Sequence, residues 1–300
     1  MIQKTEASGR QRRQAEIFAG LHRSGDPLLL PNAWDVASAV TIARAGAQAI
    51  ATTSAGAAWS VGVADGADLG ADQAAAITGR IAAAVAVPIS ADIEAGYGPA
   101  PQTVAATVTA VIQAGAVGVN LEDRTGPADP ASPPLFTPQE QAARLAAARA
   151  AADGLGIPLW INARTDTFLA STGATNAERL AQTFQRAEAY ARAGADSLFV
   201  PGLIDLEAIA RLAAGPLPVA VMAWAGAPSV AEFAAAGAVR ISLGAAVAQA
   251  AYAVAARATA EILTRGTYDS TAGGIAGDAM NEALASSSAG RVMDSTGRVP

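Results

Sequence analysis

The tripeptide Ala-Gly-Ala occurs at Ala45 to Ala47, Ala114 to Ala116, Ala193 to Ala195 and Ala236 to Ala238, each time closing a helix-like stretch and opening an apolar, strand-like run. A glycine there suits a left-handed helix C-cap, which turns the chain from helix into sheet. The central glycines lie 69, 79 and 43 residues apart, or two, two and one βα units at roughly 35 to 40 residues each. Eight units fit the chain. Strands are expected near Leu28 to Pro31, Ala49 to Thr53, Pro88 to Asp92, Gly118 to Leu121, Leu159 to Ala163, Ser197 to Val200, Val219 to Ala223 and Val239 to Ser242. Helices lie between them, with Asp35, Thr137 and Asp205 as N-terminal caps or first-turn acids. The alternation predicts an α/β fold, a (β/α)8 barrel over residues 1–266 with an N-terminal helical lead-in, although a doubly wound open sheet shares the pattern. Residues 267–300, rich in Gly, Ser and Ala with one helix-like stretch around Ala276 to Ala285, read as a C-terminal arm or tail.

Absent residue types narrow the chemistry. The chain has no cysteine, one histidine (His22) and one lysine (Lys4, in the polar N-terminal segment). A disulfide, a thiolate nucleophile, a Cys- or multi-His zinc site and a Schiff-base lysine on a barrel strand are therefore excluded. His22 is expected to be a surface or helix-end residue just before the first strand. A net charge of −6, with Arg10, Arg12 and Arg13 as the basic cluster, argues against nucleic acid or an anionic membrane as partner. Met1 to Gln14 is polar, and the apolar stretch Leu243 to Ala256 is too short to span a bilayer, so a cytoplasmic protein is expected. Carboxylates, arginines, Tyr97 and hydroxyls remain, and these suit an oxygen-liganded Mg²⁺ or Mn²⁺.

Three segments place such groups at strand ends: Ser90-Ala-Asp-Ile-Glu-Ala-Gly-Tyr-Gly98, Gly118-Val-Asn-Leu-Glu-Asp-Arg124 and Ile161-Asn-Ala-Arg-Thr-Asp166. Side chains alternate along a strand, so Asp92 and Glu94 share one side, as do Asn120 and Glu122, and Asn162, Arg164 and Asp166. With only 15% of residues charged, and unpaired buried charge costly, these groups are expected around one cavity at the C-terminal mouth of the barrel, together with Ser54. Asp92 and Glu94 either bind a cation or form a structural pair with Arg164. Two acids against one base leave negative charge that a cation would neutralise. Phase selects Glu122 over Asp123 for the cavity, leaving Asp123 to cap or to pair with Arg124. Tyr97 is either a wall residue beside two glycines or an acid/base group. The proline-rich segment Arg124 to Pro138 lacks periodicity and is a candidate lid.

Asp92-Ile-Glu-Ala-Gly-Tyr-Gly98, Gly118-Val-Asn-Leu-Glu-Asp123, Ala163-Arg-Thr-Asp166 and Gly194-Ala-Asp-Ser-Leu-Phe-Val200 resemble, in order and spacing, the isocitrate lyase/phosphoenolpyruvate mutase superfamily, as do Pro31-Asn-Ala-Trp-Asp35, Thr53-Ser-Ala-Gly56 and Gly62-Val-Ala-Asp65. The resemblance spans roughly Leu28 to Ser242. It implies a barrel whose eighth helix is swapped between subunits of a dimer, usually within a tetramer. It also implies Mg²⁺-dependent cleavage or rearrangement of C–C or C–P bonds of a small carboxylate substrate, through a pyruvate-like enolate. Asp92 resembles the direct metal ligand, and Glu94 and Glu122 resemble acids that hold the ion largely through water. Arg164 resembles the arginine that grips substrate carboxylate. The amides of Ser54, Ala55 and Gly56 resemble a carboxylate or phosphonate cradle, and Asp65 matches an aspartate on a mobile segment near the substrate. After Asp123 the chain lacks the lid signature of isocitrate and methylisocitrate lyases, and also the lysine and Asn-Ser of the mutase. Pro201 stands where mutases carry histidine and methylisocitrate lyases glutamate. Two classes stay open, a Mg²⁺-dependent lyase or hydrolase of a small 2-oxo or 2-hydroxy carboxylate, and a barrel that binds a dicarboxylate without turnover.

Overall fold

The computed structural model describes residues 2–67, 69–126, 134–170 and 175–288, with the side chains of 2–8, 287 and 288 left aside. The strands are β1 (Leu28–Leu30), β2 (Asn32–Ala33), β3 (Ile50–Thr52), β4 (Ile89–Asp92), β5 (Gly118–Glu122), β6 (Trp160–Arg164), β7 (Ser197–Phe199), β8 (Val219–Met222) and β9 (Ala238–Ser242). The helices are α1 (Ile2–Gly20), α2 (Val36–Arg44), α3 (Ser54–Ser60), α4 (Ala71–Ala84), α5 (Pro101–Gln113), α6 (Pro138–Gly154), α7 (Asn176–Arg192), α8 (Leu206–Ala213), α9 (Val230–Ala235), α10 (Ala246–Arg265) and α11 (Gly277–Ser288).

All the strands pair in parallel. The expected first strand ends one residue early, at Leu30, and a second short strand, β2, follows Pro31, which has no amide to give a ladder but whose carbonyl accepts from the Ala51 amide at 3.1 Å. β1 pairs with β9, and β2 pairs with β3. One polypeptide stretch thus bridges both ends of the sheet and closes the barrel, which removes the open-sheet alternative. The four Ala-Gly-Ala glycines act as expected: Gly46, Gly115, Gly194 and Gly237 have φ of 100°, 107°, 90° and 89°. Asp35, Thr137 and Asp205 each accept the amide three residues on, at Ser38, Glu140 and Ala208.

The apolar phase of each strand packs outward. Val119, Leu121, Ile161 and Ala163 are fully buried among Val104 and Val108 of α5 and Leu145 and Ala148 of α6. The inward phase is polar: Asn162 Nδ2 donates to Asn120 Oδ1 at 2.9 Å and Ser197 Oγ donates to Asn162 Oδ1 at 2.6 Å, across three neighbouring strands. At the N-terminal mouth, α1 presses Phe18 against Gly118, where an added Cβ would lie 2.6 Å from the Phe18 ring. His22, just beyond the helix end, stacks on Trp160 with centroids 3.9 Å apart. It is a helix-end residue as expected, partly buried rather than on the open surface.

The stem of the candidate lid is a bridge between Arg124 and Leu135. The tip, 127–133, lies outside the described residues. Helix α10 leaves Tyr252, Val254, Ile262 and Leu263 at 43%, 43%, 48% and 78% exposure. Helix α11 returns to α2 and α4, where Ala283 is buried with Val40 and Ala84. Residues 289–300 of the expected tail lie outside the described residues. Among the described residues no helix is long and apolar enough to cross a membrane.

Candidate active site

Asp92 ends β4 and is the hub of the site. Its Oδ2 accepts from Ser54 Oγ at 2.8 Å and the Ser54 amide at 3.2 Å, and its Oδ1 accepts from Asn120 Nδ2 and the Glu94 amide, both at 3.3 Å. The Asp92 amide donates to Thr52 Oγ1 at 2.8 Å, tying β4 to β3. Beyond Asp92 the chain turns sharply, with Glu94 at φ 48° and Tyr97 at φ 57°, a left-handed backbone that non-glycine residues rarely adopt. Gly96 (φ 76°) completes the turn, and a Cβ there would lie 2.9 Å from Val104. Tyr97 O–H donates to Glu94 Oε1 at 3.4 Å.

The strain is held from behind by Arg144, which sequence reasoning missed. This α6 arginine is 1% exposed. It donates to the carbonyls of Gly98 and Pro99, each at 2.7 Å, and to that of Ala95, and it lies over the Phe136 ring. Its partners are backbone carbonyls and the Gln141 amide oxygen. Burial pushes its pKa down to about 10. The one signal in the sequence was a polar pair, Gln141 and Arg144, set among the alanines of α6.

Arg164, at the end of β6, is held by two carboxylates. Nη1 meets Glu122 Oε2 at 2.9 Å, and Nε and Nη2 form a fork on Asp166 at 2.6 and 2.9 Å. Burial works against the guanidinium charge, but Glu122 and Asp166 outweigh it and hold the pKa above the ordinary arginine value. Glu122 is pushed up to about 8, first by burial; Arg164 opposes this, and Asp166, Asp92 and Glu94 add to it. Asp166 is in turn fixed by Asp123, whose Oδ1 accepts the Asp166 amide at 3.0 Å.

Asp123 faces away from the cavity, as strand phase requires, yet its partner is not Arg124. Its Oδ2 accepts from Arg186 Nη1 at 2.8 Å and Tyr190 O–H at 2.7 Å, both on α7, whereas Arg124 approaches Asp166 at 3.4 Å. Burial pushes the Asp123 pKa up, against Arg186 and its hydrogen bonds.

Ser54, Asp65, Glu94, Glu122, Arg124 and Arg164 line one cavity of about 370 Å³ at the C-terminal mouth. Asp65 stands at its exposed rim, with a pKa raised first by desolvation and then by Asp92. A larger hollow, about 430 Å³, lies between α7 and α8 on the outer wall and holds none of these groups. Of the Ser54, Ala55 and Gly56 amides, the first is given to Asp92 and the third to Thr53 Oγ1 at 3.5 Å. Gly56 is needed for close packing, since a Cβ would lie 2.9 Å from Trp34 Cβ.

Among the described residues no three acidic or imidazole groups converge into a cage for a metal. The donor set still fits a hard divalent cation. Asp65, Glu94 and Glu122 line the cavity with Arg124 and Arg164, and Asp92 lines the smaller hollow beside it; with Glu122 and Asp166 paired to Arg164, Asp65, Asp92 and Glu94 remain as donors, and Mg²⁺ characteristically takes one or two carboxylates and keeps several waters.

Closed parallel strands, an apolar outer layer and a crown of acids at the strand C-termini define a (β/α)8 barrel with an acid-rich site at its upper mouth. The profile of the phosphoenolpyruvate phosphomutase family matches residues 18–263, and the chain belongs to that family. It is 38% identical to a Burkholderia cenocepacia J2315 protein provisionally assigned as a lyase/mutase, over 91% of this chain and 96% of that one, with a TM-score of 0.82. It is 25% identical to oxaloacetate acetylhydrolase, solved with its product oxalate, over 95% and 98% of the two chains, with a TM-score of 0.81. A 2-methylisocitrate lyase of Salmonella typhimurium is 30% identical over 205 residues, 66% of this chain and 65% of that enzyme.

Proposed function

We propose that the protein is a Mg²⁺-dependent lyase or hydrolase that cleaves a C–C bond of a small 2-oxo or 2-hydroxy carboxylate through a pyruvate-like enolate. The observation that carries this reading is the surplus of carboxylates around the cavity, with Asp92 fixed by Ser54, Asn120 and the Glu94 amide. Asp92 would hold the ion directly, and Glu94 and Glu122 would hold it through water. When bound, the ion supplies an electrophile that stabilises negative charge developing on the substrate oxygen. Ser54 and Asn120 keep Asp92 aimed at one point, and Asp166 and Glu122 keep the Arg164 plane facing the cavity. The strained turn at Glu94 to Tyr97, clamped by Arg144, presets the Glu94 carboxylate and Tyr97 hydroxyl before substrate arrives. Oxalate bound as product in a structural relative supports a small dicarboxylate as ligand.

The chain has no cysteine to serve as a lid proton donor, so a substrate whose leaving fragment is itself the enolate suits this site better than isocitrate. The exposed apolar face of α10 supports a homodimer or tetramer built by exchange of that helix. The test is thermal stabilisation by oxalate with Mg²⁺ and with EDTA, in wild type and Asp92→Ala. Metal-dependent protection should appear in wild type and vanish in the variant; equal protection in all arms sinks the reading. Pyruvate or oxalate release from a panel of 2-oxo and 2-hydroxy diacids, with phosphonopyruvate as the C–P arm, then separates turnover from mere binding.

A further inference from the structure

Arg240 lies in the middle of β9, opposite Leu28 and Ala220, in the inward phase two residues before Ser242. It is 3% exposed, and its Nε and Nη1 have no hydrogen-bond partner. No carboxylate among the described residues comes within ion-pair distance of it. Desolvation lowers its pKa to about 10, with Asp92 acting in the opposite direction. It faces a cavity of about 40 Å³ on the barrel axis, bounded also by Ser90, Asp92, Asn120, Arg164 and Ser242. The Ser90 Oγ is buried there without a partner as well. The space exceeds the roughly 10 to 15 Å³ that one water needs and matches a single carboxylate-sized group. Asp92 and Arg164 border it, so it adjoins the site above.

Arg164 has committed all three nitrogens to Glu122 and Asp166, and Arg124 stands half-exposed beside Asp166. That leaves Arg164 the second N–H of each Nη for the acid end of a ligand, whereas Nε and Nη1 of Arg240 have no partner at all. A buried cation with no ion pair destabilises a fold unless something offsets it, and orphaned donors on a side chain that lines a small cavity suit an anion acceptor. We propose that Arg240, with Ser90 Oγ, receives a second carboxylate of the ligand, which makes the site specific for diacids whose 2-oxo or 2-hydroxy acid end sits at Asp92 and Arg164. This rests on the reading of the site given above and adds the residue that recognises the second carboxylate.

The experiment is calorimetric titration of the Mg²⁺-loaded protein with matched pairs that differ only in a distal carboxylate, malate against 2-hydroxybutyrate and 2-oxoglutarate against 2-oxopentanoate. Oxalate, too short to reach beyond the upper site, is the control. Wild type should favour the diacid at least tenfold in one pair. Arg240→Met should reduce that preference below threefold while changing oxalate affinity by less than threefold. It should also melt no lower than wild type without ligand, since an unpaired charge has been replaced by an apolar chain of similar length. If the methionine variant fails to fold, Arg240→Lys and Arg240→Gln decide: the lysine variant should keep a preference that the glutamine variant loses, and equal preference in both overturns the proposal. Oxalate binding without diacid preference in wild type, or a preference that survives in Arg240→Met, rejects the role of Arg240 alone. No Mg²⁺-dependent oxalate binding rejects the parent reading and this one with it.

Discussion

Replacing Asp123 with asparagine removes one charge and almost no volume from a position with 0% exposure. The new Oδ1 can still accept the Asp166 amide, as the carboxylate does at 3.0 Å. The new Nδ2, however, points a donor at two donors, Arg186 Nη1 and Tyr190 O–H, which now approach at 2.8 and 2.7 Å. Arg186 is left with the Phe136 carbonyl and the Tyr190 oxygen. Removing one member of a buried pair costs about 3 to 5 kcal/mol. Because Arg186 keeps those two acceptors and is 8% exposed, the lower end is expected, about 3 kcal/mol. Arg186→Met should cost a similar amount by orphaning Asp123. The double variant should cost little more than either single change, giving a coupling of roughly 2 to 3 kcal/mol. Urea unfolding followed by circular dichroism at fixed protomer concentration measures all four corners of the cycle. A cost below about 1 kcal/mol for Asp123→Asn, or additivity within roughly 0.5 kcal/mol, would refute the view that this buried pair anchors the post-β5 segment to α7.

His22 has its pKa lowered to about 3, chiefly by burial and then by Arg240, against 6.5 for the free side chain. The unfolded chain therefore binds the proton more readily between those values, and stability falls as pH drops through about 6.5. Between pH 7.5 and 5.5 wild type should lose about 1.4 kcal/mol more than His22→Gln; urea midpoints with the same pH dependence in both proteins would contradict this. Glu122 titrates in the same range with opposite sign, but it is common to both proteins and cancels. Sedimentation at micromolar protomer should show a dimer or larger species, and Leu263→Asp, on the exposed face of α10, should shift it toward smaller ones; a stable wild-type monomer would rule out helix exchange.

The parts of this molecule that could be seen in the sequence are those governed by local geometry. Left-handed C-caps at Gly46, Gly115, Gly194 and Gly237 are dictated within one helical turn, so the count of units followed, whereas closure rests on the pairing of β1 with β9 and β2 with β3. The two-residue period put Asp92, Glu122 and Arg164 on the cavity side and Asp123 behind it. The period says which side a group faces, not whom it meets. Arg186 lies 63 residues from Asp123, and no spacing rule favours it over the adjacent Arg124. Arg144 was hidden for a related reason, since its partners are backbone carbonyls that every sequence has. Arg240 is marked in the sequence only as the one charged residue of β9, in the inward phase with Ser242.

The division of the strands into an apolar outer face and a hydrogen-bonded inner one has a consequence for how this barrel can change. Its stability resides mainly in the annulus between strands and helices, where Ala91, Val119, Ile161 and Leu198 meet α5 to α8. The axis, where Asn120, Asn162 and Ser197 pass hydrogen bonds from strand to strand, is a separate compartment. Alanines such as Ala148 and Ala152 set the width of the annulus, so enlarging them should pry a helix from its strand. Polar exchanges along the axis that keep the donor and acceptor count would instead leave the annulus untouched and alter what the mouth can bind. A lineage built on this barrel can therefore explore new ligands by rewriting a few inward residues, while the outer layer drifts under the separate constraint of volume.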